Sequence, residues 1–125
     1  MKSAINTKNA PAAIGPYSQA ITFQNLIFVS GQIPLDPKTM TVVSEDIKTQ
    51  TKQVLENLEA ILKAADSSFS KVLKTTIYIK DMNDFDKINT IYSSFFKTET
   101  PARATIEVSR LPKDVKIEID AIAHN

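Results

Sequence analysis

Residues 100–121, TPARATIEVSRLPKDVKIEIDA, decide the architecture. Two runs of alternating character flank a polar corner containing Pro112 and Asp114, which reads as two paired strands joined by a tight connection. In the first run Arg103, Thr105 and Glu107 share a face, and Ala104, Ile106 and Val108 share the other. In the second, Val115, Ile117, Ile119 and Ala121 oppose Lys116, Glu118 and Asp120. Each strand thus carries charge on one face and aliphatic bulk on the other. An arginine just inside a strand, behind Pro101, offers a planar cationic fork that fits a carboxylate, and Glu118 offers an acid or base beside it.

Working back from this segment, Val72–Ile79 reads as a strand and 84–96 as a helix whose stripe is Phe85, Ile88, Ile91, Tyr92, Phe95 and Phe96. Asp81 or Asn83 is its cap, and Asn89 borders its apolar face. A longer helix runs from an acidic cap at Ser44-Glu45-Asp46 to about Ala65, with Ile47, Thr51, Val54, Leu55, Leu58, Ile61 and Leu62 on one side. Upstream, 19–23 and 26–30 form a hairpin about Gln24-Asn25, and Ser30-Gly31-Gln32-Ile33-Pro34 ends it. Gly31, directly after a buried strand, either takes a special backbone angle or admits a close neighbour. The first residues, with Pro11, Gly15 and Pro16, form an extended arm or loop ending in Tyr17.

Strands separated by helices lay both helices on one face of a mixed sheet. The other face keeps apolar side chains with no third helix to bury them, so the sequence predicts a homo-oligomer from burial alone. At 125 residues the chain is one domain, 1–125, and 42% hydrophobic with 23% charged residues is a soluble composition. A formal net charge of +1 argues against nucleic acid or an anionic membrane as the main partner. No cysteine is present, so disulfides, thiolate zinc sites and a cysteine nucleophile are excluded. The one histidine, His124, cannot build a relay, and two glycines cannot cradle a nucleotide phosphate. Neither a metal nor a cofactor is expected. The N-terminal residues carry no signal or transit pattern, and a cytoplasmic location is expected.

Four segments in order are similar to one family: 9–20 (NAPAAIGPYSQA), 30–34 (SGQIP), 80–85 (KDMNDF) with Asn89 and Tyr92, and 101–119 with PAR, RLPKDV and IEI. The chain resembles the RidA/YjgF reactive intermediate (enamine/imine) deaminases over nearly its whole length. That resemblance implies an α+β fold of the bacterial chorismate mutase type, a six-stranded mixed sheet with two helices packed on one face. It implies a homotrimer with sites in the clefts between subunits, needing no cofactor. The implied reaction is that of a 2-iminobutanoate/2-iminopropanoate deaminase, hydrolysing 2-aminoacrylate and related enamine/imine intermediates to 2-keto acids and ammonia. Carried over by position, Arg103 grips the substrate carboxylate and Glu118 positions or protonates the attacking water and leaving nitrogen. Tyr17, Ser30, Gly31 and Asn89 line the pocket, with the Thr105 backbone near the imine. Many relatives have cysteine where this chain has Thr105, so any thiol-based switch is absent here while a backbone role is kept. The rival reading is a non-catalytic, small-carboxylate-binding regulatory or chaperone-like trimer.

Overall fold

A computed structural model describes residues 1–125. Six strands form one sheet: β1 (Ser3–Ile5), β2 (Ala20–Phe23), β3 (Leu26–Gln32), β4 (Val72–Ile79), β5 (Ala102–Glu107) and β6 (Ile117–His124). Their spatial order is β1-β2-β3-β6-β4-β5, all neighbours antiparallel except the parallel pair β4 and β5. Helices α1 (Ile47–Ala64) and α2 (Phe85–Phe95) cover one face. The expected mixed sheet with two helices is therefore present, and β1 is a strand in a segment read from the sequence only as an extended arm.

One pairing differs from expectation. The last two strands are not partners, because β4 lies between β6 and β5. Burial explains the placement: Ile117, Ile119, Ala121 and Ala123 are almost wholly buried, which suits a central strand, whereas β5 has no fully buried residue and takes the edge. The connection over 108–116 is long enough to cross the end of β4, where Val108 N–H donates to Ile79 O and Lys80 N–H to Lys116 O. It contains a 3-10 turn at Pro112–Asp114.

Local chemistry sets the other elements. Gln24, at φ 53°, makes the turn between β2 and β3. Asp46 caps α1 by accepting from Thr49 N–H at 2.9 Å, so the acidic residues precede the helix rather than occupying its first turn. Asp81, not Asn83, accepts the capping bond of the 3-10 turn Met82–Asp84 that leads into α2. Val54, Leu55, Leu58, Ile61 and Leu62 of α1 have no exposed surface and pack on Ile27, Ile117, Ile119 and Ala123. Full burial of each such side chain contributes roughly 1.5–3 kcal/mol. On the helix-free face the cross-strand pairs Phe23–Leu26 and Phe28–Ile122 sit together, with Phe23, Leu26 and Phe28 each about two-fifths exposed.

Three buried amides fix what the helices leave loose. Gln19 takes Thr7 N–H on its carbonyl and donates to Thr7 O, Ala10 O and Pro11 O, tying the N-terminal arm to the sheet. Gln50 on α1 donates to Ser44 O and accepts Lys116 N–H at 2.8 Å. Asn57, two turns of the helix further on the same side, donates to Ile33 O and Leu35 O and anchors the loop after β3. Replacement by an isosteric aliphatic leaves buried carbonyls without partners. Asn57→Leu is expected to lower unfolding free energy by about 1–3 kcal/mol, read by urea denaturation at fixed protein concentration; a loss inside experimental error would remove Asn57 as the loop's anchor.

Candidate active site

The two charged residues singled out by the sequence stand on opposite faces of the sheet. Arg103 pairs in register with Thr75, and Thr75 with Ala121, both buried beneath the helices. Glu118 pairs with Tyr78, and Tyr78 with Ile106, on the helix-free face. With β4 between their strands, the two side chains of one protomer do not meet.

Around Arg103 the helix supplies a cradle. One guanidinium nitrogen, Nη1, donates to Asn89 Oδ1 at 2.8 Å. The guanidinium carbon lies 5.0 Å from the centre of the Tyr92 ring and 5.5 Å from that of Phe85. Tyr92 is itself fixed, its hydroxyl 2.7 Å from Thr75 Oγ1 and its ring stacked 4.5 Å from Phe96. Burial raises the Tyr92 phenol above its usual range and outweighs Arg103 and Thr75, which both lower it. Arg103 has no carboxylate partner in the protomer, so its remaining N–H groups face outward. Arg103 and Asn89 line a recess of about 290 Å3 with Tyr92, Ser93, Thr100 and Pro101. Thr105 follows on the same face of β5, half-buried, on an outer strand whose free edge has no strand partner.

The remaining residues gather on the other side. Tyr17, Ser30, Gly31 and Glu118 line a cavity of about 600 Å3, with Ile14, Ile33, Met40 and Lys113 among its walls. Ser30 is held by donating to Ser18 O at 2.6 Å, and the register of β3 against β6 shifts between Val29 and Gln32. Gly31 has an ordinary φ, so turn geometry does not require glycine there. A Cβ at that position would lie 2.1 Å from Glu118 Oε2, a distance no packing tolerates. Of the two alternatives left open by the sequence, close approach is the one that applies, and the neighbour is the Glu118 carboxyl. Its pKa is raised, first by burial and second by the charge of Asp120. A half-buried carboxyl that holds a proton more firmly than usual can act as an acid towards a bound base.

Arg103, Thr105, Asn89 and Glu118 lie on the elements expected from the sequence, but β3 runs on to Gln32, so Gly31, expected directly after the strand, lies inside it. The two half-sites were not foreseen, and Phe85 and Tyr92, read only as part of the helix stripe, were missed as supports for the guanidinium. Tyr78, whose hydroxyl donates to Asp120 Oδ2 at 3.0 Å beside Glu118, was also missed. The available signal was positional, since Tyr78 alternates with the buried Ile77 and Ile79. No group of three or more metal-ligating acids or histidines is assembled.

A family profile described as Endoribonuclease L-PSP matches residues 7–125. A RutC family protein of Pyrococcus horikoshii is 60% identical over 124 residues, covering 99% of this chain and 98% of the relative. The 2-iminobutanoate/2-iminopropanoate deaminase of Salmonella typhimurium is 51% identical, with 98% of each chain covered. Among solved structures, Escherichia coli TdcF with bound serine matches with a TM-score of 0.94 at 44% identity, over 98% of both chains. Segment motifs, sheet order and relatives agree over nearly the full length, and the chain belongs to the YjgF/RidA family, whose profile carries the description Endoribonuclease L-PSP.

Proposed function

We propose that this protein is a deaminase for small 2-imino and 2-enamino acids, working as a 2-iminobutanoate/2-iminopropanoate deaminase. The observation that carries the reading is the Glu118 carboxyl, raised in pKa and seated over Gly31 on a cavity of about 600 Å3. Relatives named for this activity at about half identity support it, as does the serine held by TdcF, a small molecule bearing the same α-carboxylate.

Because Arg103 and Glu118 lie on opposite faces, we place the complete site between copies, the Arg103 recess of one facing the Glu118 cavity of the next. The apolar pairs on the helix-free face support association, and the trimer implied by the family resemblance closes such a head-to-tail contact into a ring. In that site the Arg103 fork grips the substrate carboxylate. Glu118, protonated, gives its proton to the imine nitrogen, making C2 more electrophilic. Water then attacks C2 while the Glu118 carboxylate takes a proton from it, leaving a carbinolamine. Return of that proton to nitrogen expels ammonia while the carbinolamine hydroxyl gives its proton to the Glu118 carboxylate and the C2–oxygen double bond forms, and the products are a 2-keto acid and ammonia. Glu118 ends as it began, and no cofactor enters.

The test couples a threonine or serine dehydratase to the protein and follows keto-acid release. Arg103→Lys keeps charge but not the two-pronged geometry, and is expected to lose about 10- to 100-fold in kcat/KM. Glu118→Gln is expected to lose on the order of 100-fold or more in kcat. Native chain that leaves release at the spontaneous rate would overturn the reading in favour of a carboxylate-binding module.

The pH response has a defined sign. Only protonated Glu118 donates, and its pKa lies above the ordinary carboxylic value. Activity should therefore be full below that raised pKa and fall as pH rises through it. A kcat that instead climbs with pH across the same window, with the dehydratase step in excess, would assign Glu118 the role of base only.

A further inference from the structure

The helix-free face holds a second carboxylate that the reaction scheme does not use. Asp120 sits two residues after Glu118 on β6, so both side chains project on the same side. Tyr78, on β4, is the direct cross-strand neighbour of Glu118 and reaches diagonally to donate its hydroxyl to Asp120 Oδ2 at 3.0 Å. All three are half-buried, and Thr76 is the direct partner of Asp120. Asp120 thus stands on the same side of the strand as the Glu118 carboxyl, and its charge adds to burial in raising that carboxyl's pKa.

We propose that Tyr78 and Asp120 are positioning residues for the acid step: the phenol donates to Asp120 and holds its carboxylate in place, and the negative charge held there keeps the proton on Glu118. The proposal rests on the reading of Glu118 as the proton donor.

The other charged or titratable groups near Glu118 do not supply this function. Lys116 lies just before β6 and Lys80 just after β4, Lys113 lines the cavity from the 3-10 turn, and Tyr17 lines it from the arm. Lys80 Nζ is engaged with Ser109 O. Lys74 and His124 stand farther along the same face, beside and beyond Ile122. From β3 and β5 only uncharged residues face Glu118, among them Ser30, Gly31 and Ile106. Asp120 is the one charge among them that acts on the Glu118 carboxyl, and it raises its pKa. The Tyr78 phenol is likewise raised, first by burial and then by its bond to Asp120, which keeps it a donor.

Two measurements on the intact protein test this. The Glu118 side-chain carbon is followed by 13C NMR in glutamate-labelled protein without substrate, and kcat and KM are followed against pH in the dehydratase-coupled assay. In Asp120→Asn the Glu118 midpoint is expected to fall by on the order of one pH unit, and the high-pH limb of kcat to move with it while KM holds. In Tyr78→Phe the Asp120 carboxylate is no longer held, and the Glu118 midpoint is expected to fall as well, with kcat reduced several-fold near neutrality. An unchanged Glu118 midpoint in Asp120→Asn, or a single unshifted step in Tyr78→Phe, overturns the proposal even if deamination persists. If Asp120→Asn does not assemble, as judged by sedimentation, Tyr78→Phe decides alone. The expected NMR shifts in a chain that deaminates nothing would uphold the proton assignment and sink the enzymatic reading instead.

Discussion

Strand β4 separates the two charges on which the proposed chemistry depends. Its position between β6 and β5 gives Arg103 and Glu118 different strands, and the pleat sends them to different faces. A fork under the helices and an acid over the open face cannot act on one small molecule within a protomer. The same strand links each half to its support, because Thr75 of β4 bonds Tyr92 beneath Arg103, and Tyr78 bonds Asp120 beside Glu118. Residues on opposite faces of one strand thus set the geometry of both half-sites, and any shift in its register would disturb them together.

Each half is organised before a ligand arrives. On the arginine side, Asn89 and two aromatic rings hold the guanidinium, so little side-chain entropy is lost when a carboxylate docks. On the glutamate side, Gly31 removes the one Cβ that would displace the carboxyl, and buried amides pin the surrounding loops. Of those amides, Gln19 itself lines the cavity. Gln19 secures the arm that ends in Tyr17, and Asn57 the loop that supplies Ile33 and Leu35 to the wall.

Much of this was legible in the residues. Apolar runs located β3 and β4, alternation located β5 and β6, and helical spacing located both helices, with ends within about three residues; all but the edge strand β5 have one face buried by the core. The pairing of the last two strands was not legible. A nine-residue connection with Pro112 resembles a hairpin corner in sequence, whereas the choice of central position for Ile117–His124 depends on burial from both sides, which only the assembled sheet defines. Residues Arg103, Glu118, Gly31 and Asn89 could be named from the family-like segments, but their division between faces could not, since it follows from that same strand order. Short β1 was missed because three residues give too little alternation to separate a strand from an extended arm.

The division of charges also bears on how little catalytic power this site requires. An imine already carries an electrophilic carbon, and protonation of its nitrogen is the step that most increases that character. Placing the cation on the carboxylate and a neutral acid at the nitrogen keeps the two electrostatic demands apart: a second fixed positive charge at the imine would oppose its protonation. The arrangement of the half-sites suits this separation, because the cavity of Glu118 holds Asp120 near the acid and leaves the guanidinium to the other face. A residue with a flexible ammonium in place of Arg103 could reach towards the nitrogen as readily as the carboxylate. The planar fork, stacked and bonded to Asn89, is confined to one orientation, and that confinement protects the acid step as much as it aids binding.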